Sequence, residues 1–243
     1  MKKILLLLAV SFFIQKTNAQ KIYAWWDCGL KVNYGLTGFI NSKLLDDKNY
    51  SYHLNSGAGI GAKFGMYFGL NNGITVDFIY NQLKQGFDYD LGNITNNQDI
   101  TWKNYDLGLL YRHQSNGSYI EIGPQYSIVN SVKNEDSNDP VNSDVTKYYS
   151  KNYFSAVFGT GGYIFGTDNF TLMLGLRLGY ALTDFVADAG KPLNFPTPKQ
   201  IAGTARDSKT NPAFVQLVLE ANLALGYYGK SSCSKRAHLF SNF

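Results

Sequence analysis

Charged side chains recur at alternate positions of segments that are otherwise apolar. In Phe170–Thr183 leucine occupies most second positions, and Arg177 lies between two leucines. Alternation of this kind gives a strand two chemically different faces, and the charged residues share the less apolar face. Basic and acidic groups held together away from water form either a network of ion pairs or a selective path for ions. The four basic and four acidic residues are Lys31, Lys63, Asp77, Asp106, Arg112, Glu121, Arg177 and Glu220.

Eight segments share this period-two pattern, which predicts β-strands. Several are longer than the roughly 9–11 residues that a strand needs to cross a membrane at a tilt. The predicted strands are Ala24–Thr37, Gly57–Leu70, Ile74–Leu83, Trp102–His113, Ser118–Val129, Tyr153–Phe165, Phe170–Thr183 and Ala213–Tyr228.

The connections between these strands alternate between long and short. Asn71-Asn72-Gly73 and Ser115-Asn116-Gly117 are typical of tight hairpins. A soluble eight-stranded barrel would need a polar outer face, whereas here an apolar face recurs on nearly every strand. We therefore expect an all-β fold, an eight-stranded antiparallel up-and-down transmembrane β-barrel with long extracellular loops and short periplasmic turns.

Composition supports this class and excludes others. The 243 residues include 24 Gly, 18 Tyr and 16 Phe, and only 16% are charged. The net charge of +4 is not arranged as a basic stripe interleaved with aromatic residues, so we expect no nucleic-acid partner.

The ends of the chain indicate export. Lys2 and Lys3 precede an apolar run at Ile4–Ile14, and Thr17-Asn18-Ala19 is a small-residue cleavage site. We predict a signal peptide at 1–19, a barrel at 20–228 and a basic periplasmic tail at 229–243. We expect a multi-pass location in the cell outer membrane, with both termini periplasmic.

The two cysteines, Cys28 and Cys233, flank the first and last predicted strands, which are neighbours in a closed barrel. In an exported protein such a pair forms a disulfide or remains as two free thiols, and the sequence leaves both alternatives open.

One short string could carry catalysis. His113-Gln114-Ser115-Asn116 resembles the motif of outer-membrane lipid A deacylases, in which a serine nucleophile is activated by histidine. By that resemblance Ser115 would be the nucleophile and His113 the base, with Glu121 as the nearest acid at a spacing that departs from the family. A strand end followed by an Asn-Gly turn explains the string better. We expect no catalytic residue, no metal ligand and no cofactor.

The alternating strands over about Ala24–Tyr228 resemble the outer-membrane β-barrel domain family, eight-stranded like the OmpA transmembrane domain and OmpX, with PorT-like porin-family barrels as the most similar branch. The resemblance implies a non-enzymatic envelope structural component, or an accessory subunit of a secretion or assembly complex that acts through its loops or tail. The alternatives are a narrow porin-like channel and a lipid A-modifying hydrolase. The expected partners are outer-membrane lipid, the barrel-assembly machinery for insertion, and outer-membrane or periplasmic proteins.

Overall fold

The computed structural model describes residues 22–167, 169–198, 205–231 and 234–238. The predicted signal peptide at 1–19 lies outside these residues. The described chain is mostly β-strand and contains one short α-helix, α1 (Ser42–Asp46). The strands are β1 (Ile22–Ile40), β2 (Tyr50–Phe68), β3 (Asn72–Leu91), β4 (Ile94–Ser115), β5 (Ser118–Asp136), β6 (Asp139–Asp144), β7 (Asn152–Gly166), β8 (Phe170–Ala181), β9 (Asn211–Ser231) and β10 (Ser234–His238). Within the described ranges, no helix has the length and apolar character needed to cross a membrane.

Eight of these strands close into an antiparallel barrel. The pairing order is β1-β2-β3-β4-β5-β7-β8-β9, and β9 also pairs with β1 along the length of both strands. Strand β6 is added to β5, and β10 to the end of β9, outside the ring. The predicted eight-stranded up-and-down barrel is confirmed.

The outer face of the barrel is an apolar belt. Leu30 is 65% exposed, Ile60 is 60% exposed and Leu217 is 56% exposed, and similar side chains project outward from every strand of the ring. A soluble protein rarely exposes so large a continuous apolar patch. In hydrocarbon the same surface is favourable, and a closed barrel leaves no strand edge with unpaired backbone groups. The barrel therefore spans a membrane.

The tight connections lie at one end of the barrel. Asn116 and Gly117 join β4 to β5 with φ of 50° and 77°, the left-handed conformations that a type I′ turn requires and that Asn-Gly favours. The turn between β2 and β3 lies slightly earlier than its sequence signal predicts. Gly69 takes the left-handed conformation there, with φ of 67°, and Asn72 already belongs to β3.

Two of the predicted long loops are largely strand. The segment between the predicted strands Ile74–Leu83 and Trp102–His113 was expected to be a loop. Instead, β3 and β4 pair continuously from Asn72 and His113 to Leu91 and Ile94, and the chain turns at Gly92, where φ is 64°. The segment after Val129 continues as β5 and returns as β6. The Asn- and Asp-rich composition of these stretches resembles a loop, but each strand still buries an inward apolar residue: Phe87 and Tyr89 on β3, Ile100 on β4 and Val132 on β5.

An apolar cluster fills the barrel at the end opposite the tight turns. Phe39, Trp102, Phe185 and Phe195 are at most 1% exposed. The ring centroids of Phe39 and Trp102 lie 4.7 Å apart, and those of Trp102 and Phe185 lie 5.8 Å apart. Phe185 and Phe195 come from the connection between β8 and β9, which therefore folds over the mouth of the barrel.

Polar side chains fix this cover in place. Asp184 Oδ1 accepts hydrogen bonds from the backbone N–H groups of Val186 and Thr210, each at 3.1 Å. The Asn41 side chain caps α1 by accepting from Lys43 N at 2.9 Å, and its amide donates to Ala205 O at 3.0 Å. The helix and the β8–β9 connection are thus bound to each other across the mouth.

Candidate functional site: the charged lumen

The eight charged residues predicted for the less apolar face all lie inside the barrel. Their exposed fractions run from 0% for Lys31, Arg112 and Glu220 to 4% for Asp106. They project from the inner faces of β1, β2, β3, β4, β5, β8 and β9, because each occupies an inward position of the alternation. Water does not reach the middle of the lumen at these positions.

Seven of the eight residues form one continuous ion-pair network. Lys31 Nζ lies 2.7 Å from Asp77 Oδ2 and 3.2 Å from Glu220 Oε2. The Arg177 Nη2 atom lies 2.6 Å from both Asp77 Oδ2 and Glu121 Oε1.

Arg112 links the two glutamates of the same network. Its Nη2 atom lies 2.6 Å from Glu121 Oε2, and its Nη1 atom lies 2.7 Å from Glu220 Oε1. The guanidinium also stacks over the Tyr119 ring, with Cζ 4.2 Å from the centroid. Charge-assisted pairs of this kind are the strongest hydrogen bonds in proteins, and they fix the two side chains geometrically.

Lys63 joins the network at the tight-turn end and brings in a residue that the sequence analysis left out. Its Nζ atom lies 2.8 Å from Glu220 Oε1 and 3.0 Å from Asp27 Oδ2. Asp27 is 5% exposed and has the same inward phase on β1 as Lys31. That phase was the available signal, but Asp27 directly follows Trp25 and Trp26, which place a large aromatic residue at both phases near the start of the strand.

Asp106 is the predicted member that the network does not include. Its Oδ2 atom accepts from Asn81 Nδ2 at 2.7 Å and from Gln125 Nε2 at 2.8 Å, and Asn104 donates to Oδ1. Among the described residues no lysine or arginine lies within ion-pair distance of it. Side-chain amides therefore donate the hydrogen bonds to this carboxylate, whereas the other luminal acids form ion pairs with lysine or arginine.

The arrangement excludes solvent and sets the strand register, because each ion pair of the network joins two different strands. Buried charges are tolerated only when their partners are in place, and a shift of one residue in any strand would expose its charge to lipid. With the apolar cluster at one end and the ion pairs in the middle, the described side chains block the lumen, and a cavity of about 480 Å³ remains at the tight-turn end. Among the described residues no three His, Cys, Asp or Glu side chains come together as a metal site.

The candidate catalytic string is not assembled into a site. His113 lies on the outer face, with Nδ1 2.8 Å from Asn72 Oδ1, and Tyr111 donates to the same oxygen at 2.7 Å. Ser115 is exposed on that face as well, whereas Glu121 lies inside the barrel with the arginines. The acid is therefore on the opposite side of the strand wall from the histidine and the serine.

The predicted cysteine pair remains a prediction. Cys28 projects outward from β1 beside Phe64 and Leu223 and is partly exposed. Cys233 lies outside the described residues. The predicted boundary of the tail at 229 also differs from the strand, since β9 continues to Ser231 and β10 pairs back onto it.

Burial also affects a tyrosine outside the membrane belt. Tyr52, on the extension of β2, donates a hydrogen bond to Phe39 O at 2.7 Å. Burial raises the pKa of Tyr52 to about 12, against the opposing effect of that hydrogen bond, so the hydroxyl remains a donor at neutral pH.

Comparison with solved structures finds membrane barrels. Neisserial surface protein A is 12% identical, with a TM-score of 0.43, and the match covers 82% of this chain and 97% of that one. OprG from Pseudomonas aeruginosa is 10% identical with a TM-score of 0.39, covering 85% and 98%. The attachment invasion locus protein Ail of Yersinia pestis is 11% identical with a TM-score of 0.36, covering 81% and 99%. Neither a protein-family model nor a curated protein matches the chain.

At such low identity these likenesses carry no inference about activity, and the fold rests on the geometry of this chain. Its sheet closes between β1 and β9, its exterior is an apolar belt, and the middle of its interior is lined by charged and polar side chains. Those three features together define an eight-stranded outer-membrane β-barrel.

Proposed function

We propose that this protein is a non-enzymatic integral component of the outer membrane that acts through the two ends of its barrel. It serves as an envelope structural component or as an accessory subunit of an outer-membrane secretion or assembly complex. The observation that supports the proposal is the blocked middle of the lumen, where Arg112 and Glu220 are fully buried in ion pairs. A barrel whose interior is occupied does its work on the surfaces it presents on either side of the membrane.

The proposed orientation follows the usual asymmetry of such barrels. Tight turns face the periplasm and longer excursions face outward. Here the extended strands β2–β5 and the β8–β9 cover would be extracellular, and both termini would be periplasmic. Its partners would be outer-membrane lipid, the barrel-assembly machinery during insertion, and outer-membrane or periplasmic proteins.

Affinity purification from native membranes in mild detergent tests the proposal. The turn at Gly92 is a suitable place for a tag, because no atom lies within 4 Å of the position where a Cβ would stand. We expect the tag to be accessible on intact cells and to recover stoichiometric partner proteins. A matched chain that ends before Ser234 separates partners held by the tail from partners held elsewhere. Recovery of a lone barrel would contradict the accessory-subunit role.

Recording in planar bilayers tests the competing channel function. We expect the wild-type barrel to give no conductance above that of the bare bilayer, because the ion pairs of Arg177 with Asp77 and Glu121 cross the lumen at 2.6 Å. A steady conductance that changes in Arg177→Ala would contradict the proposal and support a narrow channel.

A further inference from the structure

Lysine is the first charged residue beyond the apolar belt on four neighbouring strands, at the end of the barrel opposite the tight turns. On β4 the outward positions run from Leu107 to Tyr105 and then to Lys103. On β5 they run from Ile128 to Ser131 and then to Lys133. The complete set, which we name the lysine row, is Lys84 on β3, Lys103 on β4, Lys133 on β5 and Lys151 directly before β7.

The other strands of the ring cross the same edge of the belt without a charge. Their outward residues there are Ile40 on β1, Ser56 on β2, Leu182 directly after β8 and Ala213 on β9. The lysine row therefore covers one side of the barrel and leaves the other side uncharged. Charge spread evenly around the barrel would favour solvation alone, whereas a row on one side favours a ligand on that side.

Three lysines of the row lack an ion pair. Lys84 Nζ lies 2.8 Å from Asp99 Oδ2. Among the described residues, no carboxylate lies within ion-pair distance of Lys103, Lys133 or Lys151. Lys103 is half-buried, and the other two lysines are exposed. Their ammonium groups therefore carry a positive charge that no direct ion pair neutralises.

The acids nearest to these three lysines lie on the aqueous side of the row. Glu135 is two residues further from the belt than Lys133, and Asp144 lies opposite Lys133 on β6. Lys133 is itself two residues further from the belt than Ser131, the partner of Lys103. The positive charge is therefore nearest to the hydrocarbon, and an anion is favoured at the membrane edge over a position among the acids.

Strand pairing brings the three lysines around one part of β5. Lys103 lies opposite Ser131, so Lys133 is its diagonal neighbour, with about 7–8 Å between the two Cα atoms. The Lys151 carbonyl accepts a hydrogen bond from Val129 N at 2.8 Å. Lys103 and Lys151 therefore stand on either side of β5, two strand spacings or about 10 Å apart. Flexible four-carbon stems allow ammonium groups with these separations to converge on one polyanionic group.

We propose that Lys103, Lys133 and Lys151 bind the phosphate groups of lipid A, the phosphorylated glycolipid of the outer leaflet. The ammonium groups pair with the phosphates, and the Ser131 hydroxyl donates a hydrogen bond between them. The acyl chains lie against the outward side chains directly below the row, Tyr105, Ile128 and Phe154. The inference rests on the orientation in the proposed function, since the row faces the outer leaflet only when the tight turns are periplasmic.

Charge and hydrocarbon together select this ligand. Lysine binds phosphate as a point charge, and basic side chains at a membrane surface attract anionic headgroups. The belt begins at Tyr105, the next outward position below Lys103, so a lipid that reaches the row with its phosphates also contacts the belt with its acyl chains. A soluble polyanion or an acidic protein would contact the lysines alone, because the side chains below them lie in the membrane.

Native mass spectrometry of the full-length barrel in a non-ionic detergent tests the site. The two probes have the same acyl chains, and they are bisphosphorylated lipid A and lipid A from which both phosphates have been removed. We expect the phosphorylated probe to bind at least about tenfold more tightly. A chain with Lys103→Gln, Lys133→Gln and Lys151→Gln should bind that probe at least about tenfold more weakly than the wild type, and should bind the dephosphorylated probe equally well.

A chain with Lys43→Gln, Lys48→Gln and Lys209→Gln is the matched control. These lysines are exposed, and they lie outside the row on α1, before β2 and before β9. The control chain loses the same charge and should bind phosphorylated lipid A like the wild type. Faster migration of unboiled samples in electrophoresis reports that each chain is folded.

Two further probes distinguish other ligands of the same charge. Phosphatidylglycerol has acyl chains and one phosphate, and the bisphosphorylated glucosamine disaccharide has both phosphates and no acyl chain. We expect each to bind at least about tenfold more weakly than lipid A. Equal affinity for phosphatidylglycerol would identify a general anionic-lipid site, and equal affinity for the disaccharide would identify a site for soluble anions. Either result would overturn the proposal, as would equal affinity for dephosphorylated lipid A or unchanged affinity in the folded chain without the three lysines.

These affinities are measured in detergent and do not depend on how the barrel is oriented in the cell. Loss of selectivity for phosphorylated lipid A would therefore contradict this inference without affecting the proposed function. A tag at Gly92 that is inaccessible on intact cells would contradict the proposed orientation even if the barrel selects lipid A in detergent.

Discussion

Glu220 holds the charged network together at the scale of single residues. Its two carboxylate oxygens accept from Arg112 at 2.7 and 2.8 Å, and one of them also accepts from Lys63 at 2.8 Å. Lys31 Nζ lies 3.2 Å away. Three cations therefore share one carboxylate in a place that water does not reach. Removal of the Glu220 carboxylate would leave each of them with less negative charge nearby.

We expect Glu220→Gln to lower the free energy of unfolding by about 3–5 kcal/mol, because loss of one partner leaves buried charges uncompensated. The measurement is urea unfolding of the barrel reconstituted in lipid vesicles. Asp106→Asn is the matched control. Amides satisfy Asp106, and an asparagine oxygen can still accept from Asn81 and Gln125, so we expect a smaller loss. Equal losses of unfolding free energy in the two variants would show that the pairing of Glu220 with its cations does not stabilise the barrel.

Much of this site could be predicted at the residue scale, since the inward phase follows from alternation alone. Lys31 and Arg177 stand at polar positions of regular strands, and they lie in the lumen as predicted. The pairing could not be predicted, because Arg177 meets Asp77 and Glu121 across strands far apart in sequence. Which cation meets which acid depends on register and barrel tilt, and a single strand contains neither.

At the scale of elements, the β8–β9 cover at the end opposite the tight turns is the part of the fold that could not be predicted from the sequence. The β8–β9 connection is rich in proline and was expected to be a loop. Phe185 and Phe195 nevertheless enter the apolar cluster, where Phe185 lies 5.5 Å from Phe39 and 4.9 Å from Tyr149 between ring centroids. No local period marks those two phenylalanines as buried, because the chain that carries them is irregular and its partners lie on β1 and after β6.

We expect Phe185→Ala to destabilise the barrel by about 3–5 kcal/mol, since it leaves a cavity in a packed cluster. Leu193→Ala in the same connection is the matched control. Leu193 is 46% exposed, and its truncation should change stability by less than about 0.5 kcal/mol. Hydrogen exchange of the connection should accelerate in the first variant and not in the second. Slow exchange in both would mean that the cover does not depend on the cluster.

At the scale of the whole molecule, the strand pairing that places the charged side chains inside the barrel also places leucine side chains on its outer surface. The membrane lipid covers that surface. Two exposed leucines distinguish the membrane belt from the strand extensions beyond it. Leu30 is 65% exposed in the middle of β1, next to Lys31 of the network, and Leu54 is 55% exposed on the extension of β2. In water the two side chains would be nearly equivalent, whereas only Leu30 faces hydrocarbon in the membrane.

We therefore expect Leu30→Arg to cost about 2–4 kcal/mol in vesicles, the penalty for a cation near the bilayer midplane, and Leu54→Arg to cost about 0–1 kcal/mol. Unfolding with urea in vesicles gives both values, and the yield of the fast-migrating folded form gives the effect on insertion. The cost of Leu30→Arg should be smaller in lipids with shorter acyl chains, because the bilayer is thinner and the charge lies closer to the interface. Equal costs at the two positions would contradict the location of the belt, and with it the assignment of the β2–β5 extensions to the aqueous side.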